Sequence, residues 1–178
     1  MSMIEVELDG KIYVFTGSSW IGKQDRIAPP VATVGRLNSV IRKQLDIEDS
    51  SITNPDKLVR LAKRAREAGQ ITRAIVLLRR ATAIRPNHPG TATMLSSVLR
   101  QAKRPSDALA ATERLATSEY TPLLTSRAAA LCDLERWDEA FRLVRRVIVL
   151  SNGRTDAEAL NVRSRIKAHA PEWFKEQF

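Results

Sequence analysis

Three alanines set the frame of this chain. Ala74, Ala108 and Ala140 lie 34 and then 32 residues apart, each inside a run of apolar positions. Ala74 follows Leu58, Leu61-Ala62, Gly69 and Ile71 and precedes Leu77-Leu78, Ala81 and Ile84. Ala108 follows Leu95, Ser96 and Leu99 and precedes Leu109, Leu115 and Ala116. Ala140 follows Leu124, Ala128, Leu131 and Trp137 and precedes Phe141, Val144, Val147 and Ile148. A period near ~34 residues is that of stacked helix–turn–helix units. Each unit buries one side of itself, so units must stack to make a continuous core. The expected fold is mostly α: a right-handed solenoid of three helix pairs over residues 55–154.

The flanks read differently. Asn54-Pro55 opens the first helix, with Asn54 as N-cap and Pro55 at the first helical position. Residues 31–54 read as an amphipathic helix, with Val31, Val34, Leu37, Ile41 and Leu45 on one stripe, and then an acidic linker from Asp46. Residues 155–178 read as a capping helix from Asp156 to Ala168 and an aromatic tail with Trp173, Phe174 and Phe178. Arg163, Arg165 and Lys167 are expected to point outward from that cap.

Residues 1–30 read as a β-hairpin and loop. Ile4, Val6, Ile12 and Val14 alternate around Asp9-Gly10, a strong turn signal. Two registers compete. A two-residue turn pairs Val6 with Tyr13; a three-residue loop, Leu8-Asp9-Gly10, pairs Val6 with Ile12 and Glu7 with Lys11. The second is preferred, because it sets opposite charges across the strands and keeps Ile4, Val6, Ile12 and Val14 on one face. A lone hairpin is marginal in water, so its apolar face should dock on helices; no larger sheet is expected. The following Gly17-Ser-Ser-Trp-Ile-Gly22-Lys23 imitates a phosphate-binding loop. It lacks the Ser or Thr after the lysine, since position 24 is Gln, and Pro29-Pro30 interrupts the helix such a loop needs. It is read as a loop anchored by Trp20.

The repeats resemble the tetratricopeptide repeat (TPR) family. That resemblance rests on large–small pairs in a first helix, Gly at the turn, and Ala in the second helix with Pro at its end. Residues 55–88 match with Leu58, Leu61-Ala62, Gly69, Ile71, Ala74, Ala81 and Pro86. Residues 89–120 match less well, with Lys103 in place of the turn Gly and Leu115 in place of the later Ala. Residues 121–154 keep Ala128, Leu131, Trp137 and Ala140-Phe141 but carry Arg127, Val147 and Asn152 where Leu, Ala and Pro are usual.

The resemblance implies a concave face, lined by first helices, that holds peptides. Carrying repeat positions over gives Val59, Lys63 and Arg66; Thr93, Ser97 and Arg100; and Thr125, Ala129 and Cys132. Of these, Lys63, Arg66, Thr93, Ser97, Arg100 and Thr125 are the expected partner-binding residues. Arg66 and Arg100 occupy equivalent positions, and guanidinium groups suit carboxylates. The chaperone-binding subgroup clamps a carboxylate with Lys and Asn. The corresponding positions here are Val59, Lys63, Met94, Pro122 and Ser126, so only one charge is retained and that activity is not expected.

Composition narrows the function classes. A net charge of +9 favours an anionic partner. The expectation is a non-catalytic adaptor binding an acidic peptide or protein, with nucleic-acid backbone binding through the basic helical surface as the alternative. Aromatics are only 5% of the chain, which leaves few stacking platforms for single strands. One cysteine, Cys132, excludes an internal disulfide. Two histidines, His88 and His169, and Cys132 are too scattered for metal-ligand spacing, so no metal, cofactor or catalytic site is expected. No apolar run reaches the ~18 residues of a membrane span and no signal peptide opens the chain, so a cytoplasmic protein without membrane association is expected. The aromatic tail is expected to pack back on the last helix, with insertion into a partner or a second copy, and so an oligomer, as the alternative.

Overall fold

A computed structural model describes residues 4–16, 19–154 and 157–169, with backbone alone at 42 and 44–50. The chain divides into two compact units, Met1–Ile52 and Thr53–Phe178.

The first unit holds strands β1 (Ile4–Leu8), β2 (Lys11–Phe15) and β3 (Trp20–Gly22) and helix α1 (Val31–Ser50). The sheet is antiparallel in the order β1-β2-β3. Val6 faces Tyr13 and Leu8 faces Lys11, so the register is the two-residue one and not the preferred three-residue loop. Two causes decide it. Asp9 and Gly10 both adopt positive φ, 55° and 74°, as a tight two-residue hairpin turn requires. Arg36 of α1 holds the Asp9 carboxylate at 2.6 and 3.0 Å. This register also gathers Ile4, Val6, Leu8, Tyr13 and Phe15 on one face, where they pack with Trp20 and Leu37. Aromatic side chains thus supply the apolar face that β-branched alternation seemed to demand.

The stretch read as a loop supplies β3, so the sheet is larger than a hairpin, although Trp20 is the expected anchor. Its indole donates to the side-chain oxygen of Asn38 at 2.8 Å. Gly17 and Ser18 lie outside the described residues; Lys23 pairs with Glu5 at 2.8 Å. Helix α1 runs on to Ser50, past the expected end at Leu45, because the acidic stretch contains no breaker before the polar turn. Leu37 is fully buried, but Val31 is 89% exposed and does not join the stripe. The side chains of Arg42 and Leu45 lie outside the described set.

The second unit is helical: α2 (Pro55–Glu67), α3 (Ile71–Ile84), α4 (Pro89–Gln101), α5 (Pro105–Ala110), α6 (Thr121–Asp133), α7 (Trp137–Leu150) and α8 (Ala157–His169). Asn54 caps α2, its side-chain oxygen accepting from the Asp56 and Lys57 amides at 2.9 and 3.1 Å. Each helix packs on its successor, and α4 on α6 and α6 on α8 link like positions of successive units. Ala74, Ala108 and Ala140 are fully buried where the pairs cross. The aromatic tail lies outside the described residues.

The second pair departs from regularity. Helix α5 is six residues long and gives way to a 3-10 turn at Glu113–Leu115. Arg127, standing where an apolar residue is usual, donates to the buried Thr112 hydroxyl at 3.0 Å and reaches Glu113 at 3.4 Å. A nearly buried guanidinium needs acceptors, and the broken helix end provides them.

The three inter-helix turns share one backbone device. Gly69, Lys103 and Glu135 all take positive φ, 73°, 60° and 60°. Only the first is glycine, and a side chain in this region costs about 1–2 kcal/mol. A methyl group at Gly69 would meet open space, so its cost is conformational alone. In urea unfolding, Gly69→Ala should destabilise by about 1 kcal/mol, while Lys103→Gly and Glu135→Gly should each stabilise by a similar amount.

Candidate functional site

The last turns of α4, α6 and α8 converge on an open cavity of about 770 Å³. Ser97, Arg100 and Gln101 come from α4, Cys132 and Asp133 from α6, and Arg165 and His169 from α8. Helix C-termini carry partial negative charge, so an Asp at the end of α6 is unfavourable unless cations offset it. Two arginines do. Arg100 Nε donates to one Asp133 oxygen at 2.6 Å, and Arg165 donates to the other at 2.8 Å. Arg100 also lies 3.5 Å from Glu158 of α8. Burial raises the Asp133 pKa, but the two arginine hydrogen bonds outweigh it and hold the carboxyl below its ordinary value. The cavity wall is completed by Trp137, whose ring stacks on His169 with centroids 5.1 Å apart.

The six expected partner-binding residues separate into two sets. Lys63 and Arg66 are exposed on α2. Arg66 Nε donates to Gln101 at 2.9 Å, which ties α2 to the cavity rim. Ser97 and Arg100 line the cavity. Thr93 is partly buried and its hydroxyl turns back to the Pro89 carbonyl at 2.8 Å. Thr125 is 2% exposed, with its hydroxyl unpartnered inside the helix packing. The equivalence drawn between Arg66 and Arg100 is only positional: the Arg100 side chain is 19% exposed and committed to Asp133. Ala129 and Cys132 are likewise buried, and Ser126 donates to Ser96 across α4 and α6 at 3.0 Å.

The sequence reading missed Asp133, Trp137 and Arg165 as site residues. Arg165 was expected to point outward; it turns toward Asp133, 32 residues away. The signal was available in Asp133 itself, an acid at a helix C-terminus that calls for cationic partners.

Cys132 is 2% exposed. Burial pushes its thiol up to about 11; Arg165 and Arg100 pull it down and Asp133 raises it further. Among the described residues no three ligating side chains gather as a metal site, and no helix is long and apolar enough to cross a membrane.

No protein-family profile and no curated protein matches the sequence. Solved structures do match the fold. The first TPR domain of Spaghetti (RPAP3), bound to the HSP90 peptide SRMEEVD, aligns with a TM-score of 0.57 and 24% identity over 66% of this chain and 94% of that one. The Sgt2 TPR domain from Aspergillus fumigatus gives 0.62 and 16% over 70% and 83%. The Arabidopsis OM64 TPR domain gives 0.57 and 15% over 65% and 95%. The chain has the TPR-like α-solenoid fold.

Two outcomes follow from the site. Cys132 should resist a thiol reagent at pH 8 in the folded protein and react at once in denaturant; fast labelling of native protein would contradict its burial. Asp133→Asn should cost about 1–2 kcal/mol at neutral pH, where it removes charge-assisted hydrogen bonds from a partly exposed carboxylate. The folded pKa is depressed, so this contribution is full above the unfolded value near 3.8 and is lost as pH falls through the lower folded value. The melting-temperature gap between wild type and Asp133→Asn should therefore close below about pH 4.

Proposed function

We propose that the inner face of the helical unit is a non-catalytic docking surface for an acidic peptide or protein segment. One observation carries this reading. Arg66 bonds to Gln101 on the cavity rim, so exposed cations on α2 continue into the cavity lined by α4, α6 and α8. Lys63 keeps a charge without an ion pair among the described residues, and Arg66 spends its guanidinium on a neutral amide. Both can bind a carboxylate without first releasing one. Arg100 and Arg165 are offset by Asp133 and Glu158, so the charge free to meet a carboxylate lies on Lys63 and Arg66. The acidic peptide held by the RPAP3 domain supports the same use of this fold.

The partition of Lys63 and Arg66 from Arg100 shapes the test. Arg100→Glu would set a new acid beside Asp133 and Glu158 and threatens folding, so Lys63 and Arg66 are the clean probes. A labelled ten-residue Glu-rich peptide should bind the full chain in fluorescence anisotropy. Lys63→Glu and Arg66→Glu should each weaken it about tenfold or more, from the loss of a charge-assisted contact of roughly 1.5–3 kcal/mol. Arg79→Glu, at an exposed position of α3, should leave it unchanged. Equal losses in all three would contradict a defined groove.

A further inference from the structure

Beyond the peptide groove, we infer that a second surface, the arc of α2 carrying Lys57, Arg60 and Arg64, binds the phosphate backbone of duplex nucleic acid without reading its sequence. The observation is a cluster of exposed cations that hold no carboxylate, three within eight residues of one helix. Arg100, Arg127, Arg142, Arg146 and Arg165 each hold a carboxylate. Lys57, Arg60 and Arg64 are exposed and hold none among the described residues. The acid at the start of the helix, Asp56, is turned to Arg85, the residue just after α3.

At about 100° per residue, Lys57, Arg60 and Arg64 fall on one arc. It lies on the far side from Leu58, Ala62 and Ala65, the buried residues of α2. Lys63 and Arg66, which serve the groove, follow on around the same exposed side at about 60° and 120° from Arg60, so the two surfaces adjoin, with the exposed Glu67 between Lys63 and Arg60. Like charges three and four residues apart destabilise a helix, so this stripe carries a standing repulsion that a polyanion would relieve. Its span is about 10 Å at 1.5 Å rise per residue, enough to meet successive phosphates.

The arc's chemistry selects the partner. It holds no aromatic ring, so it offers no platform for unstacked bases. It has no apolar anchor of the kind that centres a protein interface or enters a membrane surface. A row of cations with neither anchor fits a duplex backbone, whose affinity is set by the number of phosphates neutralised.

The test uses the full chain and a fluorescein-labelled 20-base-pair DNA duplex. Binding should fall with salt at a slope of about −2.7 in log–log form for three phosphates, or about fortyfold between 50 and 200 mM. The triple variant Lys57→Gln, Arg60→Gln, Arg64→Gln should lose most of that slope while keeping its circular dichroism spectrum. A control triple, Arg79→Gln, Arg114→Gln, Arg145→Gln, removes the same charge elsewhere and should bind as wild type. Absence of wild-type binding at 50 mM salt overturns the assignment. So does an unchanged slope in the α2 variant, or an equal loss in the control. Capture of wild type by phosphatidylserine vesicles but not by duplex would assign the arc to a membrane surface and also overturn it. Because Lys63 and Arg66 are untouched, the α2 triple variant should still bind the acidic peptide, which separates this surface from the groove.

Discussion

Alanines fill the places where the helix pairs of this unit meet. Ala74, Ala108 and Ala140 are each completely buried at that crossing, and the large side chains that fill the core lie around them. A bulkier residue there would force the pairs apart, and overpacking costs typically 1–3 kcal/mol. The rest depends on this approach. It fixes the angle within each pair, so that α4, α6 and α8 stack as equivalent elements and bring their last turns to one place. A cavity built from three helix ends separated by more than 60 residues of sequence exists only because the pair geometry repeats.

Much of this could be read from the residues, and what could not has definite causes. The three alanines, the Asn54 cap and the prolines at helix starts are local signals and correspond to the observed elements. The register of the hairpin did not follow from charge alternation, since the inward face is built from Tyr13, Phe15 and Trp20, which a β-branched pattern does not reveal. The short α5 depends on Arg127, fifteen residues beyond Thr112, and so on a tertiary contact that overrides local propensity. In the site, equivalence of repeat position placed Ser97 and Arg100 at the cavity, but it could not show that Arg100 is committed to Asp133 or that Thr125 is enclosed by neighbouring helices.

The electrostatics divide the arginines by task. Arg100 on α4 and Arg165 on α8 hold helix ends together through Asp133, and their removal is a matter of stability. Those on α2 hold no carboxylate among the described residues, and on the proposed reading their removal is a matter of binding. A high net charge by itself does not distinguish these roles; ion-pair geometry does. The same helix thereby presents two cationic arcs, one toward the cavity rim through Arg66 and Gln101 and one away from it.

The central claim is that an acidic segment docks along α2 and the cavity at the ends of α4, α6 and α8. Backbone amide NMR of the isotopically labelled chain, titrated with a Glu-rich peptide, tests this most directly. The account predicts saturable shifts concentrated at Lys63, Arg66, Ser97, Gln101 and Arg165, with α3, α5 and α7 silent apart from Trp137. Shifts spread evenly over every exposed arginine, or confined to α3 and α7, would contradict it.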